Sequence, residues 1–146
     1  MDTAIERLFG DGKYRFHLNM PQILSIEGND RSILKMHHEF GASLGIVADG
    51  DPIFMGGGEA RMKDIASVIR HGLIGGGEGM VDKVKVTVSP LDATRIVETY
   101  VHGRPIAEIL PVAWAILDAA VMGVRVDPKK KVMTGRRRSS PSAKAK

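Results

Sequence analysis

The sequence predicts an α+β fold that is mostly α-helical, with an N-terminal β-hairpin, about five helices and a disordered basic C-terminal tail. Three observations lead to this fold class. Residues 4–19 contain an alternating apolar and polar run, and the chain up to residue 123 contains five apolar stripes with helical spacing. Residues 126–146 have no apolar periodicity. We therefore expect a single globular domain over residues 1–125 and a separate tail over residues 126–146.

The composition is that of an ordinary globular protein. The chain has 146 residues, of which 43% are hydrophobic and 26% are charged, and it contains no cysteine. A chain of this length can bury a core without disulfides, but it is short for two full domains. Its N-terminus has no signal-peptide pattern, and no segment approaches the roughly 20 apolar residues of a membrane span. We therefore expect a soluble protein with no membrane partner.

The N-terminal segment predicts a β-hairpin. Residues 13–18, KYRFHL, alternate polar with apolar side chains, which is the pattern of a half-buried strand. Asp11 and Gly12 precede this run, and glycine readily adopts the positive φ of hairpin turns. We therefore expect the turn at Asp11 and Gly12.

Two helices are expected after the hairpin. Asn19 is suited to cap the first helix and Pro21 to its first turn, and Gly28 should end it. Its expected buried residues are Ile23, Leu24 and Ile26. The second helix should begin near Asn29 or Asp30 and end by Gly45. Its expected buried face carries Ile33, Leu34, His37, Phe40 and Leu44.

A loop is expected over residues 47–58, which are rich in glycine, aspartate and proline. The third helix should begin near Glu59. Its apolar stripe consists of Met62, Ile65, Ala66, Ile69 and Leu73. Residues 84–88, VKVTV, alternate and therefore predict a short strand or an extended arm.

The last two helices follow this arm. Residues 89–92, SPLD, form a near capping box with proline at the first helical position, so the fourth helix should begin there. The fifth should begin near Pro105 and form the centre of the core, because it is the most apolar segment. Pro111 lies inside it and should kink or split it, because proline removes a backbone donor and clashes with the preceding turn.

Glycine clusters raise the question of phosphate binding. A dinucleotide-binding loop needs a strand, then G-x-G-x-x-G, then a helix. Here a helix precedes the glycines of residues 75–77, and Met80 occupies the last glycine position. Residues 45–50 have the G-x-x-x-x-G spacing of a phosphate loop, but Asp-Pro follows where lysine and serine or threonine are needed. We therefore interpret three glycines as a helix stop and structural turn: Gly75, Gly76 and Gly77.

Catalytic and metal sites are not supported by the spacing of the reactive residues. Residues 41–45, GASLG, match the G-x-S-x-G pattern of a nucleophile elbow, but a helix is expected before Ser43 where that motif needs a strand. The five histidines are not spaced as a ligand set, since His37 and His38 are adjacent and point apart on a helix. We therefore expect a protein that is not an enzyme, with no catalytic residue, no metal and no cofactor.

Charge is divided unevenly along the chain. The net charge is +4, but residues 128–146 carry eight basic side chains and no acidic one, so the rest of the chain has a net charge of −4. Such a tail could contact nucleic acid in a salt-dependent way, or it could act as a solubilising segment. The second reading is favoured because no aromatic residue is interleaved. The candidate partner-binding residues are Lys129, Lys130, Lys131, Arg136, Arg137 and Arg138.

Three stretches of sequence are distinctive in combination. They are FGDGKYRFHL at residues 9–18, IASVIRHGLIGGG at residues 65–77, and RIVETYVHGRPIAEILPVAWAILDAAVMG at residues 95–123. Together and in this order they resemble the small tail proteins of gene transfer agents and related prophages. Members of that family are described as phage tail tube proteins or as tail-assembly chaperone-like proteins.

The resemblance implies a structural or assembly protein of a phage-like tail. Its expected partners are the tape-measure protein and the major tail protein. Its expected location is the bacterial cytoplasm during assembly, or the tail of the particle. Two roles stay open: a subunit of the tube, and a chaperone that coats the tape measure while tube subunits add. The helical content favours the chaperone, because tube rings are built mostly on β-sheet; the oligomeric state stays open.

Overall fold

A computed structural model describes residues 2–45 and 52–124. Its elements in chain order are β1 (Ala4–Phe9), β2 (Gly12–His17), α1 (Met20–Glu27), α2 (Ile33–Gly41), β3 (Leu44–Gly45), β4 (Ile53–Phe54), α3 (Met62–Gly76), β5 (Glu78–Val81), β6 (Val84–Thr87), α4 (Pro90–Tyr100) and α5 (Ile106–Met122). The α+β fold class, the N-terminal hairpin and the five helices are confirmed. The expected tail, residues 126–146, lies outside the described residues.

Four strands form one antiparallel sheet in the order β1-β2-β5-β6. β1 pairs with β2 along its whole length. β5 pairs with β2 only at Lys13 and Tyr14. Among the described residues, the part of β2 beyond Tyr14 therefore has no strand on that side, and α3 packs there instead. β3 and β4 form a separate two-stranded sheet.

The second hairpin differs from the sequence expectation of a single strand or arm. Residues 84–87 are β6, and β5 pairs with them across a two-residue turn at Asp82 and Lys83. Both turn residues have positive φ, +51° and +66°, which is the conformation of a type I′ turn. The glycine that usually marks such a turn is missing from this pair, so the sequence gives only a weak signal for it.

The turn of the first hairpin lies one residue earlier than predicted. Gly10 and Asp11 connect β1 to β2, and the positive φ of +60° belongs to Gly10. Gly12 is the first residue of β2, where a Cβ atom would collide with the Met80 carbonyl. The two glycines are therefore needed for different reasons.

The starts of α1 and α4 agree with the predicted caps, but the start of α2 and two buried positions were predicted wrongly. The Asn19 side chain accepts a hydrogen bond at the start of α1, as expected. Ser32 caps α2, which begins at Ile33 and therefore later than the start expected near Asn29 or Asp30. Leu24 and Leu34 were assigned to buried faces, yet both are exposed. On α1 the side chain that faces the core is Ile26, so Leu24 points to solvent. On α2 the buried side chains are Ile33, Met36 and Phe40, so Leu34 points to solvent.

The core lies between one face of the four-stranded sheet and the helices. α3 occupies the centre and contacts β2, α1, α4 and α5. α5 continues through Pro111 without being split, and it packs against α2, α3 and β1. The largest fully buried side chains include Phe16, Phe40, Leu18, Met36, Ile65, Ile69 and Leu73. On the opposite face of the sheet, Leu8, Lys13 and Met80 are exposed.

Candidate interaction surfaces

The glycine cluster lies where the end of α3 meets the sheet. Gly75 and Gly76 are the last two residues of α3, and Gly77 caps the helix with φ of +69°. A Cβ atom on Gly75 would collide with the His17 carbonyl, and one on Gly76 would collide with the Arg15 carbonyl. These glycines therefore let the helix end lie directly on the part of β2 that β5 leaves unpaired.

The charge distribution at this helix end is unsuited to phosphate. Arg15 donates from Nη1 to the Gly76 carbonyl at 3.2 Å, so a cation already occupies the helix C-terminus. The C-terminal end of a helix carries partial negative charge, whereas phosphate binds at helix N-termini. This segment is therefore a structural contact between the end of α3 and β2.

Ser43, the serine of the GASLG motif, is an anchor for the segment after β4. Its hydroxyl donates to the Gly57 carbonyl at 2.7 Å, and its carbonyl accepts the Met55 N–H at 2.8 Å. The residue is 1% exposed, and the Gly58 backbone packs so closely that a Cβ atom there would collide with the hydroxyl. α2 precedes the serine and β3 follows it, which is not the strand-to-helix order of a nucleophile elbow.

The histidines are dispersed over the fold. His37 Nε2 lies 2.9 Å from Asp118 Oδ1, and its ring stacks on Trp114 with 6.0 Å between centroids. His71 is buried, and its Nδ1 donates to the Ser67 carbonyl at 2.8 Å. Within residues 2–45 and 52–124, no three His, Cys, Asp or Glu side chains converge as a metal site. The His37 contacts join α2 to α5, and the His71 hydrogen bond lies within α3.

A charged cluster that the sequence reasoning missed joins three segments. Arg31 Nη2 lies 2.7 Å from Glu39 Oε1 and 2.7 Å from Asp64 Oδ2, and the three side chains are 8–17% exposed. The hydrogen bond to Glu39, together with that to Asp64, raises the pKa of Arg31. The cluster ties the residues before α2 to α2 itself and to the first turn of α3. No local pattern reveals it, because its members are 8 and 33 residues apart.

A groove of about 390 Å³ lies between the β5–β6 hairpin and α4. Tyr14 at its floor donates to Asp11 at 2.5 Å, and the Tyr100 ring packs against Gly10. Burial, and next the hydrogen bond to Asp11, raise the pKa of Tyr14 well above its ordinary value. Asp92, at the rim, forms the capping box of α4. The carboxylates of Asp11 and Asp92 therefore form hydrogen bonds that stabilise the fold.

Methionine is prominent on the surface of the described residues. Met36 is buried, whereas the exposed methionines are Met20, Met55, Met62, Met80 and Met122. Met20 and Leu24 lie four residues apart on α1, and both are exposed, so they form an apolar ridge one helical turn long. Ile53 and Phe54 of β4 are exposed beside Met55. Apolar side chains thus reach solvent on several elements.

A comparison with protein-family models matches residues 2–123 to the family described as phage tail tube protein, GTA-gp10. The chain belongs to the GTA-gp10 family. The stretches at residues 9–18, 65–77 and 95–123 all lie within the match, so the resemblance seen in the sequence is confirmed. Neither the comparison with curated proteins nor that with solved structures gave a match.

Membership of the GTA-gp10 family makes this chain a structural protein of a phage-like tail, whose partners are other tail components. The helices in the described ranges are all too short or too polar to cross a membrane. The family match ends beside Val124, whose N–H donates to the Asp2 carbonyl at 2.7 Å. The basic residues singled out in the sequence lie outside the described residues: Lys129, Lys130, Lys131, Arg136, Arg137 and Arg138.

Proposed function

We propose that this GTA-gp10 family member is a tail-assembly chaperone that acts in the bacterial cytoplasm with the tape-measure and major tail proteins. The observation that carries the proposal is that five methionines are exposed on the surface of the described residues, on several elements. Methionine is unbranched, flexible and polarisable, so such surfaces fit apolar partners of varied shape. A chaperone that coats an elongated partner must bind successive segments with different side chains.

The ridge on α1 suits this kind of binding. Met20 and Leu24 project from one side of the helix into solvent. Side chains spaced by one helical turn can insert between the apolar side chains of a helical partner. This ridge is therefore the surface that we assign to the tape-measure protein.

Co-expression with the tape-measure and major tail proteins of the same particle tests the proposal. We expect the tape-measure protein to co-purify with the native chain, and the recovered amount to fall when Met20 and Leu24 are both replaced by glutamine. Leu91→Gln is the matched control, because Leu91 is also exposed but lies on α4. If neither tail protein co-purifies and tails form normally after deletion of the gene, the chaperone role is excluded.

A subunit of the finished tail tube is the second candidate. It is favoured by the description of the family, which names tube proteins. Mass spectrometry of purified particles separates the two roles. A tube subunit should be present in many copies, whereas an assembly chaperone should be missing or present in traces.

A third hypothesis is an accessory contact with nucleic acid through the basic tail. Residues 128–146 carry eight basic side chains and no acidic one. Binding driven by counterion release should weaken steeply as salt is raised. A salt titration of DNA binding with and without residues 128–146 tests it, and binding that is absent or unchanged by the truncation would exclude it.

A further inference from the structure

Ser25 of α1 and His71 of α3 form a hydrogen-bonded pair. The two helices pack against each other, and Ser25 Oγ lies 3.3 Å from His71 Nε2. The serine is exposed, whereas the histidine is only 8% exposed. A hydroxyl that is open to solvent is therefore joined to a buried imidazole. The two residues are 46 positions apart in the chain, so no local sequence pattern reveals the pair.

The tautomer of His71 is set by Ser67, which lies one helical turn earlier on α3. His71 Nδ1 is 2.8 Å from the Ser67 carbonyl oxygen, which can only accept a hydrogen bond, so Nδ1 carries the proton. In the neutral ring, Nε2 then keeps its lone pair and accepts the hydroxyl proton of Ser25. The Ser67 hydroxyl is a second acceptor for the Nδ1–H, at 3.3 Å. The basic nitrogen of the imidazole is therefore held towards Ser25.

This arrangement contains the parts of an activated serine nucleophile. A serine hydroxyl is a weak nucleophile alone, and it becomes reactive when an adjacent base takes its proton during attack. The base must in turn be oriented by a third group, which here is the Ser67 carbonyl. The 3.3 Å between Ser25 Oγ and His71 Nε2 is slightly long, as is common for catalytic hydrogen bonds before substrate binds.

Asn29 supplies a hydrogen-bond donor beside Ser25. The chain keeps helical dihedral angles through Gly28, so Asn29 projects from the same side of the helix as Ser25, four residues earlier. Asn29 Nδ2 lies 3.5 Å from the Ser25 carbonyl, which is a long hydrogen bond, and the described residues provide no other partner for this amide. One of its two N–H groups is therefore available to a substrate. An amide in such a position stabilises negative charge that develops on a substrate oxygen.

A cavity of about 530 Å³ adjoins the pair. Its lining includes Asn29 and Ser67, the residues whose side chain and carbonyl contact Ser25 and His71 respectively. Small-molecule sites usually have volumes of about 300–1,000 Å³, so the cavity has room for a small substrate. Apart from Ile26, the lining is polar or charged, which favours a short acyl group over a long apolar one. The remaining lining residues are Asp30, Arg31, Arg61, Lys63 and Asp64.

We propose that Ser25 is a nucleophile for acyl transfer from carboxylic esters with a short acyl group, with His71 as its base and Asn29 as the donor to the oxyanion. Ser25 Oγ forms a bond to the acyl carbon while His71 Nε2 takes the hydroxyl proton. The ester C–O bond then breaks, and the alcohol leaves with the proton from His71. The product is an acyl ester of Ser25.

A fluorophosphonate probe tests the nucleophile, because it forms a stable adduct with activated serines. Ser25 Oγ bonds to phosphorus, fluoride leaves and the proton passes to His71. The full-length protein is treated and the adducts are mapped by mass spectrometry. Ser32 is the internal reference, since it is also exposed but its hydroxyl accepts the Lys35 N–H. Ser25 should react at least about 100-fold faster, the usual contribution of a general base, and equal rates at the two serines would overturn the proposal.

His71→Asn separates the base from the hydrogen bond within α3. The new side-chain amide can still donate to the Ser67 carbonyl, but it has no atom that corresponds to Nε2. Labelling of Ser25 should therefore fall to the rate of Ser32, with unchanged circular dichroism. A folded His71→Asn protein whose Ser25 is labelled at the native rate would contradict the proposal.

Asn29→Asp is the second variant, because Asn29 is exposed and its replacement leaves the core untouched. The substitution keeps the shape of the side chain and removes both N–H donors. Labelling of Ser25 should fall about 100-fold, the usual effect of losing one oxyanion donor. An unchanged rate would overturn the role of Asn29, and with it the proposed site.

4-Nitrophenyl acetate tests the substrate class. Ser25→Ala should lose the initial release of 4-nitrophenolate that the native chain gives. Thr99→Ala, which removes an exposed hydroxyl on α4, should keep it. Equal release by the native chain and Ser25→Ala would overturn the assignment to esters. None of these measurements involves the tape-measure protein, so the inference goes beyond the proposed function and does not rest on it.

Discussion

Arg15 and Gly76 are joined twice in this fold. The Arg15 guanidinium donates to the Gly76 carbonyl at 3.2 Å, and the Arg15 carbonyl occupies the space that a Cβ atom on residue 76 would fill. The first relation places a cation at the carboxyl end of α3, where the helix dipole favours positive charge. The second requires glycine. The end of α3 thereby covers the part of β2 that lacks a neighbouring strand.

Gly76→Ala should destabilise the fold by about 1–3 kcal/mol or more, because the added methyl would push the helix end away from a backbone carbonyl. Gly28→Ala is the matched control. Gly28 has φ of −63°, and the atoms nearest to an added Cβ lie at 3.4 Å, which is ordinary contact. The control should be neutral or stabilising by about 0.4–1 kcal/mol. Urea unfolding measures both, and equal small changes would show that close packing at Gly76 is unnecessary.

The sequence predicts the features of this fold that depend on neighbouring residues. Helical stripes and capping residues act within one or two turns, which is why α1 and α4 begin at their expected caps, Asn19 and Ser89. Periodicity alone does not fix which side of a short helix faces the core. Leu24 and Leu34 were therefore placed inside although both are exposed.

Features that depend on distant residues were not predictable from local patterns. β5 contains Gly79, which a strand pattern disfavours, yet glycine is needed there because a Cβ atom would crowd the Tyr14 ring of β2. The Arg31 cluster likewise depends on the tertiary structure, because Arg31 binds Glu39 of α2 and Asp64 of α3. Its partners are set by the tertiary fold and not by spacing along the chain.

Arg31→Ala should destabilise the fold by about 3 kcal/mol, because it leaves the largely buried carboxylates of Glu39 and Asp64 without their cation. Combining it with Asp64→Asn should recover part of the loss, since one of the two negative charges is removed. Arg104→Ala is the control, because the Arg104 to Glu108 pair is exposed and should contribute less than about 1 kcal/mol. Equal effects of Arg31→Ala and Arg104→Ala on urea unfolding would show that the cluster is not structurally important.

The capping box of α4 should make the free energy of unfolding depend on pH in the acidic range. Asp92 Oδ2 accepts the Ser89 N–H at 3.1 Å, and this hydrogen bond holds the pKa of Asp92 below its ordinary value. Its contribution is therefore complete above the unfolded pKa of about 3.9 and is lost as pH falls through the lower folded pKa. The difference in free energy of unfolding between the native chain and Asp92→Asn should shrink over that range. A difference that stays constant down to the acid limit of folding would contradict this assignment.

Tyr14 should make the free energy of unfolding fall as pH rises in the alkaline range, whereas Asp92 makes it fall as pH decreases. Burial, reinforced by the hydrogen bond to Asp11, raises the pKa of its phenol, so the folded state keeps a proton that the unfolded state releases. Its contribution is complete below the unfolded pKa of about 10 and declines as pH rises beyond it towards the folded pKa. Tyr14→Phe keeps the ring and removes this titration. Its unfolding free energy should therefore fall less steeply above about pH 10 than that of the native chain.

Tyr100→Phe is the control for this measurement, because it removes the other tyrosine hydroxyl and leaves the Tyr14 contact with Asp11 in place. It should retain the steep alkaline loss. At neutral pH, Tyr14→Phe should cost about 1.5–3 kcal/mol, the usual contribution of a hydrogen bond to a charged group. Parallel curves for the native chain and Tyr14→Phe across the alkaline range would mean that the phenol titrates alike in the folded and unfolded states. Burial at the floor of the groove would then not protect the proton, and the closed packing of Tyr14 beneath the β5–β6 hairpin would be wrong.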